Sequence, residues 1–331
     1  MYELAIESSC DETSVAILQD GRTILCNLIS SQIDIHARFG GVVPEIASRK
    51  HLETINRILA MAFEEAKLSV SDIDLVCVTR GPGLLGALLV GVSAAKAISF
   101  ARNIPIVGVN HMEGHICANF LAHPNLEPPF LTLVVSGGHT YLCDVADYTD
   151  YHVRGTTRDD AAGESFDKVA RVLGLCYPGG PAIQALAEKG RVTVDYPRAL
   201  LDGSYDFSFS GLKTAVINDV HAREQRGQSY NKADIAASFQ QAVIDVLVQK
   251  SEKLLRETGR RRFCLSGGVA ANHPLQEALR SMCAEHDVEF YVPPTVLCTD
   301  NAAMIGCAGH YQYLARGADD LSFAAEANLS L

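Results

Sequence analysis

Several short motifs that would indicate a function at once are missing from this sequence of 331 residues. It has no G-x-x-x-x-G-K-[ST] loop, which excludes the P-loop class of nucleotide-binding proteins. It has no H-E-x-x-H, the zinc motif of metalloproteases, and no C-x-x-C pair among its 10 cysteines. Because a disulfide framework is not expected at this length, we interpret the cysteines as small buried side chains in a reducing compartment.

The sequence also lacks the pattern of a signal peptide, a basic segment followed by an apolar run, at its start. Its longest apolar region, around Leu84 to Phe100, contains glycines and Lys96. This interruption favours a buried helix over a membrane span. We therefore expect a cytoplasmic protein without a membrane partner.

An excess of positive charge is missing as well, since the formal net charge is -11. This balance argues against a general nucleic-acid binder, although a local basic patch or a basic partner stays possible. The two basic clusters, Arg49-Lys50-His51 and Arg260-Arg261-Arg262, are interpreted as solvated helix ends or loops. Hydrophobic residues make up 48% of the chain and charged residues 20%, which is typical of a globular protein.

The predicted elements occur in the same order twice: three strands, then helix, strand, helix, strand and helix. A doubled α/β unit of this kind is the layout of actin-like and Hsp70-like ATPases, in which two lobes face each other across a nucleotide cleft. We expect an N-lobe of residues 1–125 together with a C-terminal helical segment, 300–331. The C-lobe is expected at 126–299, with an insertion near 176–234.

Three glycine-rich segments follow predicted strands. The first, Gly81 to Gly86, matches G-x-G-x-x-G, but no acid follows before Met112 to hold a ribose, so we interpret it as a tight turn. The other two are Ser136-Gly137-Gly138-His139-Thr140 and Gly267-Gly268-Val269-Ala270-Ala271-Asn272. Their backbone N–H groups are suited to phosphate, although simple hairpin and strand–helix turns would have the same composition.

Two histidines, His111 and His115, lie four residues apart on a predicted helix, which places them on the same face. Imidazole nitrogens suit zinc or iron, and a third ligand has to come from elsewhere in the chain. The alternative is a solvated pair without a metal. Glu113 is expected on the side of the helix opposite His111, where it is unable to act as the base of a metalloprotease.

Taken together, these motifs resemble one family from residue 1 to about 315: the bacterial tRNA N6-adenosine threonylcarbamoyltransferases, once described as O-sialoglycoprotein endopeptidases. The resemblance is carried by the segments Glu7 to Ser14, His111 to His115, Ser136 to Thr140, Asp160 to Glu164, Phe166 to Lys168, Pro178 to Pro181, Gly267 to Asn272 and Thr299 to Met304.

The resemblance implies the duplicated actin-like fold and a metal-assisted acyl transfer. The threonylcarbamoyl group would pass from threonylcarbamoyl-adenylate, which derives from ATP, to N6 of the adenosine 3′ of the anticodon, releasing AMP. The tRNA substrates would be those that read codons beginning with A. It also implies two protein partners, an inactive actin-like paralogue and a small P-loop ATPase.

Site residues carried over from the resemblance fall into two groups. One divalent metal per subunit, iron or zinc, would be held by His111, His115 and Asp300. The adenylate would be held by Val134, Val135, Ser136, Gly137, Gly138, Asp167, Gly180 and Asn272. Some relatives have an acid where this chain has Gln184, so one contact to the ribose or adenine is expected to differ.

The donor is already activated, so the enzyme has mainly to orient it and to stabilise developing charge. Asp11 and Glu12 are candidates for removing the proton from the adenosine amine. Cys10 is interpreted as a turn residue rather than a nucleophile. Two other functions on the same fold stay open from the residues alone: a small-molecule kinase and a non-catalytic ATPase module, neither of which needs the histidine pair.

Overall fold

The computed structural model describes residues 1–199 and 203–331. Its first repeat consists of β1 (Tyr2–Glu7), β2 (Glu12–Gln19), β3 (Thr23–Ser31), α1 (Ile33–Ala37), α2 (Pro44–Ala66), β4 (Leu75–Gly81), α3 (Leu85–Arg102), β5 (Ile106–Asn110) and α4 (His111–Ala122). Except for the short helix α1, this is the predicted order.

The second repeat consists of β6 (Phe130–Val135), β7 (Thr140–Asp147), β8 (Asp150–Thr156), α5 (Ala162–Val172), α6 (Gly179–Ala187), α7 (Ser210–Gln225), α8 (Lys232–Thr258), β9 (Arg262–Ser266), α9 (His273–Glu285), β10 (Glu289–Tyr291), α10 (Thr295–Cys298) and α11 (Ala302–Arg316). Helices α6 and α7 occupy the segment expected as an insertion, within which residues 200–202 lie outside the described part. The sequence analysis predicts neither of them, nor α10.

Both repeats form a five-stranded sheet with the same topology. The strand orders are β3-β2-β1-β4-β5 and β8-β7-β6-β9-β10. In each sheet the first strand pairs antiparallel with the second and parallel with the fourth. The identical order confirms the predicted duplication.

The chain divides into two compact units. Unit 1 consists of Met1–Pro128, Asp147–Tyr151 and Pro293–Leu331, and unit 2 of Pro129–Ala146 and His152–Val292. The last helix, α11, thus belongs to unit 1, together with the first strands.

Strand β1 separates two layers of unit 1, because its side chains alternate between the faces of the sheet. Leu4 and Ile6 are buried in the apolar core that helices α2 and α3 complete. Glu3, Ala5 and Glu7 face the other way, towards α4 and α11, and all three are fully buried. Two carboxylates in a buried strand are unusual and require partners.

Helix α3 is long and apolar enough to cross a membrane, by a test that buried helices of soluble proteins also pass. Its residues Leu88, Val92 and Ala95 are buried, and the last two belong to the core of unit 1. The prediction of small buried cysteines is confirmed for eight of the ten, the exceptions being half-buried Cys10 and exposed Cys176.

The predicted solvation of the basic clusters is wrong for one member, His51. His51 is fully buried, because it lies on the inner face of α2 and bonds to Thr13 and to the main chain of Cys10. The guanidinium of Arg260 donates to both carboxylate oxygens of Asp144, at 2.8 and 3.2 Å.

Candidate metal and adenylate sites

Unit 1 brings together the three side chains predicted as metal ligands. Oδ1 of Asp300 lies 3.4 Å from Nε2 of His111 and 3.3 Å from Nε2 of His115. Donor atoms bound at 2.0–2.1 Å to a tetrahedral ion are about 3.4 Å apart, so this spacing fits a transition metal. Within the described residues, Nδ1 of His115 has no hydrogen-bond partner and Nε2 meets only Asp300, although the ring is fully buried. A buried imidazole of this kind is suited to a metal.

Asparagine caps fix the starts of the two helices that carry or adjoin these ligands. Asn110 precedes His111 and accepts a hydrogen bond from the Met112 N–H at 2.9 Å. Asn301 follows Asp300 and accepts one from the Met304 N–H at 3.1 Å. Because each cap is adjacent to a ligand, the start of each helix determines where that ligand points.

Two further side chains contact His111 from the opposite side. Nδ1 of His111 lies 3.0 Å from a carboxylate oxygen of Glu7 and 3.3 Å from the hydroxyl of Ser9. Motif reasoning missed both residues, because nothing in an apolar strand that ends in Glu7-Ser8-Ser9 shows which side chain faces the histidine. The one feature of the sequence that could have indicated Glu7 is the presence of an acid in an otherwise apolar strand.

The charges of the cluster shift one another. Burial by itself would raise the pKa of Glu7, but the neighbouring His111 lowers that pKa below its usual value. Burial would lower the pKa of His111, but Asp300 and Glu7 raise it well above the usual value. For His115, burial prevails and lowers the pKa. The site thus favours two carboxylates with one neutral and one cationic imidazole, which is compatible with replacement of the proton by a metal ion.

The turn after β1 places Cys10, Asp11 and Glu12 near Asp300. Burial and the charges of Asp11 and Asp300 raise the pKa of Glu12 to about 9 and that of the Cys10 thiol well above its usual value. Glu12 therefore holds its proton at neutral pH, and Cys10 is not a thiolate nucleophile. Asp11 is 8% exposed and stays the better candidate for a base.

Glu113 points away from the histidine pair, as its place on the helix predicts. Gln312 on α11 donates a hydrogen bond to it. The segment Gly81 to Gly86 is likewise a packing turn, since a Cβ on Gly83 would lie 2.6 Å from the main-chain oxygen of Ser9.

Unit 2 contains the residues predicted to hold the adenylate. Ser136 to His139 form the β6–β7 hairpin turn, closed by a bond from the Ser136 N–H to the His139 oxygen at 2.8 Å. Space is open over Gly137, Gly138 and Gly268, where an added Cβ would meet nothing within 4 Å. Val134 and Val135 are fully buried in β6, where they pair with β7.

The other predicted adenylate residues meet at the starts of α6 and α9. Asp167 accepts from the Gly179 N–H at 2.6 Å, and Gly180 follows in the first turn of α6 with open space beside it. Asn272 caps α9 through the Leu275 N–H at 3.0 Å and donates to Gln240 at 2.9 Å. Gln184 accepts from the His273 N–H at 3.2 Å, a bond that an acid could also accept. The substitution therefore keeps the acceptor and removes a charge.

The family of this chain is shown by its similarity to known sequences. The profile of the tRNA N6-adenosine threonylcarbamoyltransferases (TsaD) matches residues 23–307. The chain belongs to this family. A tRNA N6-adenosine threonylcarbamoyltransferase of Caldicellulosiruptor saccharolyticus is 56% identical over 315 residues, which cover 95% of this chain and 94% of the relative. One of Clostridioides difficile is 50% identical over 330 residues, covering 99% and 98%.

Solved structures with low identity support the fold of this family member. Component A of the Acidaminococcus fermentans (R)-2-hydroxyglutaryl-CoA dehydratase is 17% identical, with a TM-score of 0.58 over 95% of this chain and 99% of that one. Full-length HypF is also 17% identical, with a TM-score of 0.63 over 96% of this chain and 56% of HypF. Both share the actin-like architecture.

Proposed function

We propose that this chain transfers a threonylcarbamoyl group from threonylcarbamoyl-adenylate to N6 of the adenosine 3′ of the anticodon, in tRNAs that read codons beginning with A. The amine nitrogen attacks the carbamoyl carbon, the bond from that carbon to the phosphate oxygen breaks, AMP leaves and the amine loses a proton. The observation that carries the proposal is the cluster of His111, His115 and Asp300. A kinase or a passive ATPase would leave it without a use.

The cluster would hold one divalent ion, for which its two imidazoles and one carboxylate favour iron or zinc. When bound, such an ion supplies a Lewis acid for oxygen atoms of the substrate. The protein itself holds the ligand atoms in place, because asparagine caps fix the starts of the two helices next to them. Little reorganisation is then needed during the reaction.

The adenylate would lie over the glycines of unit 2. The open space at Gly137, Gly138 and Gly268 leaves main-chain N–H groups accessible to phosphate. The first turn of α6 at Gly180 and the cap residue Asn272 would orient the nucleoside, with Asp167 holding the start of α6. This arrangement uses helix starts, where partial positive charge favours an anion.

Proton removal from the adenosine amine is assigned to Asp11. Glu12, with its pKa raised to about 9, would instead donate a hydrogen bond at neutral pH. The sequence analysis proposed both acids for this role, and the raised pKa of Glu12 favours Asp11. An Asp11→Asn variant that transfers at the wild-type rate would contradict it.

Partners follow from charge and from exposed apolar side chains. With a net charge of -11, the chain alone is a poor electrostatic match for tRNA. Helices α2 and α3 expose Leu52 (68%), Leu85 (50%) and Leu89 (48%) to solvent. Apolar side chains on neighbouring helices are typical of a protein interface. We assign this surface to the inactive paralogue, with the P-loop ATPase as a second partner and the cytoplasm as the compartment.

One assay distinguishes the transferase from the other two functions on this fold. tRNA is incubated with labelled threonine, bicarbonate, ATP, the adenylate-forming enzyme, the partner proteins and this chain. We expect label in tRNA with the wild type and with the exposed control His221→Ala, and none with His111→Ala. With this chain alone, phosphorylation of an added sugar would support the kinase, and ATP turnover without transfer would support the ATPase module.

A further inference from the structure

Glu7 is a buried acid without a use in the proposed function. It is the last residue of β1 and has no solvent exposure. Among the described residues its one ion-pair partner is His111, whose Nδ1 lies 3.0 Å from Oε2 of Glu7. A buried carboxylate that is paired only with a histidine requires an explanation, because its desolvation is costly.

The carboxylate of Glu7 is held on both of its oxygens. The hydroxyl of Thr79, on the neighbouring strand β4, donates to Oε2 at 2.5 Å. The main-chain N–H of Ser9 donates to Oε1. With β4 on one side and the turn after β1 on the other, the oxygen that faces His111 has a fixed position.

That fixed oxygen determines which nitrogen of His111 carries a proton. An ionised carboxylate only accepts hydrogen bonds, so Nδ1 has to be the donor. The hydroxyl of Ser9, 3.3 Å from the same nitrogen, can share this hydrogen bond as a second acceptor. In a neutral ring the lone pair is then on Nε2, the atom that faces Asp300 at 3.4 Å.

We propose that Glu7 is a positioning residue that fixes the orientation of His111 as a metal ligand. The inference rests on the metal site in the proposed function but is independent of the transfer reaction. Partners of this kind behind a metal-bound histidine affect metal affinity by about 10–100-fold. Glu7 would act through His111 and would not contact the metal itself.

The same strand offers a matched control. Glu3 is also fully buried and faces the same side of β1, and it pairs with a different histidine, His310, at 2.7 Å from Nδ1. His310 is not part of the metal cluster. Glu3→Gln therefore changes a buried carboxylate–histidine pair in the same strand without affecting a ligand.

The test is titration of the metal-depleted full chain with Co²⁺, followed by visible absorption, and with Zn²⁺ in competition with a chromophoric chelator. We expect Glu7→Gln to lower the affinity for both ions about 10–100-fold and to change the Co²⁺ spectrum. Glu3→Gln should keep the wild-type affinity and spectrum, even if it lowers the thermal stability of the chain as much as Glu7→Gln does. Thr79→Val retains the carboxylate of Glu7 but removes a hydrogen bond that holds it. It should give a smaller loss of metal affinity than Glu7→Gln and a changed spectrum.

A wild-type affinity and spectrum in both Glu7→Gln and Thr79→Val would overturn the role of Glu7. If Glu7→Gln does not fold, the result for Thr79→Val decides alone. If the wild type binds neither ion, the metal site of the proposed function fails together with this inference. Loss of transfer activity with intact metal binding would leave the inference standing and contradict only the reaction.

Discussion

Nε2 of His51 lies 2.9 Å from the main-chain oxygen of Cys10, so a side chain of α2 holds the turn that carries Asp11 and Glu12. Its other nitrogen, Nδ1, lies 2.8 Å from the hydroxyl of Thr13. The imidazole thus connects Cys10 and Thr13, which flank Asp11 and Glu12, and keeps the two acids in place. Neither bond needs a charged ring.

This relationship predicts a dependence of stability on pH. Burial lowers the pKa of His51 below its usual 6.5, so the unfolded chain takes up a proton more readily than the folded one. The stabilisation by His51 is then complete above pH 6.5 and is lost as the pH falls towards the folded pKa. We expect His51→Gln to reduce the free energy of unfolding less at pH 5.5 than at pH 7.5.

Urea denaturation at the two pH values measures this difference. Thr13→Val serves as the control, because it removes one hydrogen bond and keeps the imidazole. It should destabilise the chain while the pH dependence of the wild type persists. An equal effect of His51→Gln at both pH values would contradict the assignment.

The proposed nucleotide site in unit 2 contains a close approach of main chain at Gly163. A Cβ at this position would lie 2.5 Å from the main-chain oxygen of Ser136. Gly163→Ala should therefore displace the hairpin turn and weaken AMP binding about 10-fold or more, measured by calorimetry. The control is Gly211→Ala on α7, where an added Cβ meets nothing within 4 Å. If both variants bind AMP like the wild type, the hairpin is not part of the nucleotide site.

The C-terminal segment stabilises unit 1 through Phe323. Nζ of Lys96 lies 4.4 Å from the centre of this ring, and Cζ of Arg80 lies 5.8 Å from it. The ring also packs on the core of unit 1. Phe323→Ala should lower the free energy of unfolding by about 2–3 kcal/mol. Phe100→Ala, at a site that is 79% exposed, should change it by less than about 0.5 kcal/mol. Equal losses in urea denaturation would show that Phe323 does not contribute through packing.

Partner binding is expected to depend on Leu89, which is 48% exposed on α3. Leu89→Asp introduces a charge into the proposed interface and should weaken binding of the paralogue about 100-fold, with little change in the stability of the isolated chain. Leu314→Asp, on α11 and 66% exposed, is the matched control. Analytical ultracentrifugation of the two mixtures measures the difference, and an unchanged affinity for Leu89→Asp would place the interface elsewhere.

The duplicated fold could be predicted from the sequence because strands and long helices leave a regular pattern of apolar residues. The short helices α1 and α10 were missed because they contain too few turns for a period. Helices α6 and α7 lie within a segment rich in glycine, proline and polar residues, which obscured them. His51 was misjudged because its basic neighbours suggested a solvated cluster, whereas the face of α2 on which it lies is decided by tertiary packing.

The candidate metal residues were predictable, but spacing indicated only His111 and His115, whereas Asp300 came from the family resemblance. Asp300 lies 185 positions after His115 in the sequence, and only the fold brings it within 3.3 Å of that ring. Glu7 and Thr79 were not predictable, since their role depends on which faces of two adjacent strands meet. Sequence motifs identify the groups that perform chemistry more readily than the groups that hold them.

The composition of unit 1 from both ends of the chain has a consequence for synthesis on the ribosome. The histidines of α4 emerge early, whereas Asp300, the cap Asn301 and helix α11 emerge only after the whole of unit 2. Unit 2 is thus available to fold while unit 1 still lacks helix α11, which covers one face of its sheet. Asp300, the third proposed metal ligand, is synthesised after the two histidines, so a nascent chain that ends before it lacks the complete proposed metal site.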